Sequence, residues 1–285
     1  MAVYQYYRGM DSAKKVILLD VFSSANSLTS PSPEPDDKTA KKLRNIDCWE
    51  DTKARSALLS TPPRSIKYEY DHDFVPIAPE TVSVIQVYDM DTIDCALMFD
   101  RPLVLNMADD IYPGGWVNMG SFAQEESLFR RTNLHLTLTK DLYPLYYDEA
   151  LYSPDIRVLK SSELVLYPDP VPTLDFIACP AVKYPLLTEE DELSEEDCVQ
   201  LARKIRTILQ VAKIHGHDTV IFGAMGCGAW QNPAKCVARV FKEVLQEYDG
   251  WLPNYVFAIL KDVEYDSESE DGGSNYDVFK RVLMA

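Results

Sequence analysis

Apolar and polar positions alternate along Ser83–Tyr88 (SVIQVY), as they do in a half-buried strand. Pro102–Met107 (PLVLNM) is nearly continuous in apolar residues and predicts a buried strand. Further strands are expected at Leu164–Tyr167, Asp175–Cys179, Thr219–Phe222 and Tyr255–Leu260. Between them lie stretches of helical character. Asp91–Phe99 predicts a short helix, and Gln124 to about Lys140 a longer one. Ser194-Glu195-Glu196-Asp197 reads as a helix start, with a capping hydroxyl and first-turn acids. The apolar positions Val199, Ala202, Ile205, Leu209 and Ala212 carry that helix toward a stop at Gly216. Helices are also expected from about Pro233 to Gln246 and from Asn275 to Leu283. Strands separated by helices predict an α/β sheet with crossover connections.

The chain has 285 residues, enough for one large domain or one domain with an extension. Residues 1–80 carry the weakest pattern and are read as an N-terminal accessory segment, with a Pro-rich acidic loop at Ser30–Asp37. The remaining residues, 81–285, form the main domain. A net charge of −17 argues against general DNA or RNA binding, which needs a basic footprint. Six scattered cysteines point to thiols in a reducing compartment. The N-terminus shows no secretory pattern and no apolar run is long enough to span a bilayer, so an intracellular protein, cytoplasmic or nuclear and monomeric, is expected. The acidic runs Glu189–Asp197 and Asp266–Gly273 read as solvated loops. The four histidines show no metal-ligand grouping with the cysteines.

Two loops follow strands, where α/β sheets bind ligands. The first runs from Asn106 to Glu126 and holds Pro113-Gly114-Gly115-Trp116, then Gln124-Glu125-Glu126. The second is Gly223-Ala224-Met225-Gly226-Cys227-Gly228-Ala229-Trp230. Its three glycines in six residues suit a backbone wrapping a diphosphate with its own N–H groups. Trp230 offers a flat face for ribose or adenine. Alone, this second loop reads equally well as a tight turn over a core tryptophan.

The two loops, with Leu105-Asn106-Met107-Ala108, the run Ala123–Leu134, Leu151-Tyr152-Ser153-Pro154, Cys179-Pro180-Ala181 and Val256–Leu260, resemble the poly(ADP-ribose) glycohydrolases, especially their microbial type. The resemblance runs from Val82 to Leu283. It implies a macrodomain-like mixed sheet flanked by helices, with the N-terminal segment as an extension. It also implies an ADP-ribose pocket and hydrolysis of ribose–ribose O-glycosidic bonds without metal or organic cofactor. The substrate would be poly(ADP-ribose) or ADP-ribosylated protein. By this resemblance Glu126 is the catalytic acid/base, Glu125 contacts a substrate ribose, and Gln124 orients the acids or the ribose. Asn106, Asp109, Gly114, Gly115 and Trp116 then join Gly223–Trp230 in binding substrate.

Physical chemistry sets its own demands on such a site. The acid that protonates a departing glycosidic oxygen must hold its proton near neutral pH, which burial and a neighbouring carboxylate both favour. Consecutive helical residues point about 100° apart, so Glu125 and Glu126 cannot share one role. Without the surrounding blocks, the same two acids read as first-turn residues favouring the helix dipole, about 0.3–1 kcal/mol each.

Two positions depart from the family pattern. Trp116 stands where a third consecutive glycine is usual. Either the loop is re-registered, with one residue inserted near Met119, or the pocket is altered. Asp109 replaces an Asn or Ser. The same pocket could serve a mono-ADP-ribosyl-protein hydrolase or a non-catalytic ADP-ribose-binding module. One arginine of Arg130-Arg131 is expected to pair with a carboxylate of the loop or helix.

Overall fold

The computed structural model describes residues 36–74, 82–261 and 273–285. Most of the Pro-rich loop at Ser30–Asp37 and nearly all of the acidic run at Asp266–Gly273 lie outside the described residues.

Seven strands form one sheet. They are β1 (Ile66–Tyr68), β2 (Val84–Tyr88), β3 (Pro102–Met107), β4 (Ala150–Arg157), β5 (Thr173–Cys179), β6 (Thr219–Phe222) and β7 (Asn254–Ala258), in the order β1-β4-β5-β3-β6-β7-β2. The five strands from β5 to β2 run parallel, and β4 is antiparallel to both β1 and β5. Among the described residues six α-helices accompany it: α1 (Asp37–Ser56), α2 (Thr92–Ala96), α3 (Gln124–Arg131), α4 (Glu195–Ile214), α5 (Ala234–Glu247) and α6 (Asn275–Leu283).

The strands sort their side chains by the two-residue period. Leu103 and Leu105 of β3 face one core with Phe222, Tyr255 and Phe257, where α4, α5 and α6 pack. Val104 faces the opposite core with Phe176, Ile221 and Val256, where Trp49 of α1, Ile93 of α2 and Phe129 of α3 pack. The central strands are buried on both faces, which is why β3 reads as a continuous apolar run.

Helix ends follow the expected chemistry. Ser194 caps α4 by accepting from the Asp197 amide at 3.1 Å, and Gly216 lies just past its end at φ +73°. Asp91 caps α2 by accepting from the amides of Ile93 and Asp94.

Two expectations need correction. The helix from Gln124 stops at Arg131 rather than near Lys140, because Thr132 turns extended and bridges Val158. Two short 3-10 turns, Leu134–Leu136 and Lys140–Leu142, replace its second half. Leu164–Tyr167 is no strand; Leu164 has φ +62°, and only Leu166 makes an isolated bridge, to Lys160.

Residues 37–74 share core and sheet with the rest of the chain. β1 is an edge strand of the common sheet. Trp49 of α1 is buried against Phe129 and His135, and its Nε1 donates to Asn118 Oδ1 at 2.8 Å. Lys160, almost fully buried, donates to Thr52 Oγ1 and the Cys48 carbonyl and pairs with Asp51. All six cysteines are free. Among the described residues no helix is long and apolar enough to cross a membrane.

Candidate active site

β3 and β6 are hydrogen-bonded neighbours running in the same direction, so the loops that follow them leave the sheet side by side. The chain after β3 goes to α3 on one face, and the chain after β6 goes to α5 on the other. Adjacent parallel strands with opposite connections leave a crevice beyond their carboxyl ends. A cavity of about 340 Å³ lies there. A second, of about 250 Å³, adjoins it and shares Met107, Gln124, Ala224 and Gly228 as walls. Sites of this size suit small ligands, roughly 300–1,000 Å³.

The side chains of α3 hold the β3 loop. Gln124 spans the end of β3, accepting from the Met107 amide at 3.0 Å and donating to the Leu105 carbonyl at 2.7 Å. Its amide is thereby spent largely on strand backbone, though one edge still lines the cavity. Glu125 is 3% exposed and accepts three hydrogen bonds. They come from the Asp109 amide at 2.7 Å, the Gly114 amide at 3.1 Å and Asn106 Nδ2 at 3.3 Å. These donors favour its charged form. Burial outweighs them and, with help from the Glu126 charge, pushes its carboxyl up to about 8.

Glu126 is held differently. Its Oε1 accepts from the Trp116 amide at 3.0 Å. Its Oε2 is buried and has no hydrogen-bond partner. Burial raises this carboxyl above its ordinary value, and the nearby Arg130 charge opposes that only in part. Glu126 lines the cavity, and a desolvated carboxyl in that position is suited to carrying a proton. The two acids are thus held differently: Glu125 by three donors from β3 and the loop, Glu126 by one.

The loop fits closely enough to require glycine. Gly114 and Gly115 have φ +78° and +53°. A Cβ on Gly115 would sit 2.7 Å from Glu126 Oε1 and 3.2 Å from Glu125 Oε2. A Cβ on Gly114 would overlap the Phe129 ring. Trp116 has φ −105°, which any residue adopts, and its indole is 59% exposed at the cavity mouth. The turn continues to Gly120 at φ +72°, packed on the Lys42 carbonyl of α1. Trp116 therefore neither strains the loop nor fills the pocket.

Asp109 caps its own turn, its Oδ1 accepting from the amides of Ile111 and Tyr112. Its other oxygen pairs with Lys183 at 3.4 Å. Arg131 is buried and pairs with Asp91 at 2.8 Å and Asp94 at 3.1 Å, locking α3 to α2. Arg130 donates to the Ser121 carbonyl at 2.6 Å.

In the second loop, Ala224, Gly226, Gly228, Ala229 and Trp230 line the main cavity. Gly226 is also too close-packed for a side chain, with Ala181 and Asn232 against it. Met225 and Cys227 are corrections to the sequence reading. Their side chains are buried in the core, and their amides are spent on turn bonds to Gly223 and Ala224. The amides of Gly226, Gly228 and Ala229 make no such backbone bond among the described residues. Gly223 packs on Met107, and Asn106 lies fully buried behind Glu125; neither lines a cavity. Sequence reasoning missed Tyr112, Ala181, Lys183 and Tyr184, which complete the wall. Lys183-Tyr184 follows the Cys179-Pro180-Ala181 block, and that block was the only hint available.

A mixed sheet with a glycine turn and buried carboxylates beyond its parallel strands makes a macrodomain-like fold. The comparisons agree. Residues 37–161 match the family model described as the microbial-type PARG catalytic domain. The match begins at α1, before the point where the resemblance was expected to start. Among solved structures, the poly(ADP-ribose) glycohydrolase of Thermomonospora curvata is 22% identical. It aligns over 85% of this chain and 98% of its own, with a TM-score of 0.65. The same enzyme bound to the inhibitor ADP-HPD aligns at a TM-score of 0.64, also at 22% identity, over 85% of this chain and 97% of its own. The Deinococcus radiodurans enzyme in complex with ADP-ribose is 22% identical over 88% of this chain and 98% of its own, at 0.62. No curated protein sequence matches.

Proposed function

We propose that this protein is a poly(ADP-ribose) glycohydrolase that releases ADP-ribose from a polymer end. The observation that carries the reading is Glu126: a buried carboxyl, one oxygen fixed by the Trp116 amide, the other unpartnered, beside a glycine turn that admits no side chain. The match over residues 37–161 and the likeness to enzymes solved with ADP-ribose and with an inhibitor support it.

The substrate is divided between the two cavities. The apolar one, walled by Phe122, Leu128 and Ile259, takes the adenine end. The amides of Gly226, Gly228 and Ala229 face the diphosphate. The ribose at the scissile bond lies against Gly115, where close backbone approach is possible. Glu126 then donates its proton to the departing ribose oxygen as positive charge builds at the anomeric carbon. Once ionised, it draws a proton from the attacking water. Glu125 keeps the Gly114–Trp116 backbone in place through both steps.

The test is incubation with poly(ADP-ribose), reading free ADP-ribose. The wild-type protein releases it, and Glu126→Gln binds ADP-ribose without releasing any from polymer. Mono-ADP-ribosylated protein, run in parallel, separates the polymer enzyme from a mono-ADP-ribosyl hydrolase. Near-normal turnover by Glu126→Gln overturns the assignment.

A further inference from the structure

The mouth of the main cavity is ringed by aromatic side chains that the reaction, as described, does not use. Tyr112 and Trp116 are 50% and 59% exposed, with ring centroids 6.1 Å apart and planes tilted by 55°. Tyr184, across the opening, is 60% exposed. None of these lines the second cavity. Large exposed rings grouped at a cavity rim mark a binding surface rather than a core.

Lys183 stands among them. It is the one cation among the described residues lining this cavity, against three carboxylates, Asp109, Glu125 and Glu126. Its Nζ lies 2.5 Å from Asp110 and 3.4 Å from Asp109 on the β3 loop, and 5.2 Å from the Trp230 ring centre on the β6 loop. It thus spans both loops. On a chain of net charge −17, Lys183 is the one positive group that a phosphate meets on this wall among the described residues. Partly exposed ion pairs contribute little, so Lys183 can trade its aspartates for phosphate oxygens at small cost.

The chemistry of the linkage says what arrives. In a polymer joined ribose to ribose, the departing hydroxyl belongs to an adenosine. It brings a base and a 5′-diphosphate with it. We propose that the mouth is a subsite for this departing unit, in which Tyr112 and Trp116 stack its adenine and Lys183 holds its diphosphate. Stacking of a base on such rings is a recognised source of affinity. The inference rests on the glycohydrolase reading and goes beyond it.

Steady-state kinetics on poly(ADP-ribose), with ADP-ribose as competing product, tests it. ADP-ribose fills only the retained-unit site, so its Ki reports that site alone. Lys183→Gln and Trp116→Ala are each expected to raise the polymer KM at least fivefold while changing the ADP-ribose Ki less than twofold. Lys183→Arg is expected to restore KM. The polymer KM of Lys183→Gln should also show a log–log salt slope about one unit smaller than that of the wild type. A Ki that rises as much as KM places Lys183 on the retained unit and overturns the subsite, as does an unchanged KM. Should Lys183→Gln fail to fold, Trp116→Ala and Lys183→Arg carry the test, since the indole is mostly exposed. Wild-type protein that releases no ADP-ribose refutes the proposed function instead. The subsite is then decided by binding: the ADP-ribose dimer must bind at least fivefold tighter than the monomer, and equal affinities overturn it.

Discussion

Gly115→Ala replaces one hydrogen with a methyl group at the point where the loop meets the Glu126 carboxyl. The new Cβ would lie 2.7 Å from Glu126 Oε1, well inside any ordinary carbon–oxygen contact, and 3.2 Å from Glu125 Oε2. The backbone there has φ +53°, where a Cβ costs about 1–2 kcal/mol. Glu125 cannot yield readily, because three donors hold it. Glu126 must move, and its bond to the Trp116 amide is the one that breaks. A displacement of this kind at a reacting group costs on the order of 10- to 100-fold in rate. The strain alone lowers the melting temperature by about 2–8 °C. Gly216→Ala separates the two effects. It sits at φ +73° with nothing within 4 Å of its Cβ position, so it shares the backbone strain without the clash. Rates of ADP-ribose release and thermal unfolding are measured on both variants. Gly115→Ala activity within threefold of Gly216→Ala would refute the claim that this glycine sets the position of Glu126.

Other outcomes follow from the same geometry. Trp49→Ala opens a buried cavity beside Phe129 and is expected to cost about 3–5 kcal/mol in denaturant unfolding, which a detachable N-terminal segment would not show. Arg131→Met leaves Asp91 and Asp94 without their cation; because both carboxylates are partly exposed, about 3 kcal/mol is expected, read from the same titration. The kcat/KM profile is expected to fall as pH rises through the raised value of Glu126, since only the protonated acid can act; a profile flat to pH 9 contradicts this. Folded Glu125 holds its proton up to about 8, whereas the unfolded chain releases it near the ordinary 4.5. The wild type therefore loses stability relative to Glu125→Gln as pH rises between those values, and urea midpoints at pH 5 and 8 check the sign.

The sheet was legible wherever strands are buried on both faces. β3 and β6 match the expected ranges residue for residue, because nothing but a central parallel strand explains runs such as PLVLNM. β1 and β4 were not foreseen as strands. β1 is three residues at an edge, and β4 carries Pro154 and a register shift between Ser153 and Ile156 that breaks its alternation. α1 was missed because its buried face is thin: Ile46, Trp49, Thr52 and Ser56 along 20 mostly polar residues. Its anchor, Lys160, lies more than 100 residues away.

The site was legible through its glycines and acids, whose local pattern is strong. Three-dimensional convergence was not. Lys183 and Tyr184 reach the cavity from the segment after β5, and no spacing rule joins them to the QEE run. Nor could a sequence say that Met225 and Cys227 turn inward while Gly226 and Gly228 line the cavity, since neighbouring residues in a tight loop face opposite ways. Helix geometry said only that Glu125 and Glu126 cannot share one role; which acid does which came from the family resemblance. The structure shows that they are held differently, by three donors on Glu125 and one on Glu126.

The central claim is that Glu126 meets the anomeric end of a bound ADP-ribose. A crystal structure of the wild-type protein soaked with ADP-ribose tests it most directly. The account predicts the anomeric hydroxyl within hydrogen-bonding distance of the Glu126 carboxyl, the diphosphate against Gly226–Ala229, and the adenine beside Phe122. A ribose lying against any other side chain, with the Glu126 carboxyl untouched, contradicts it.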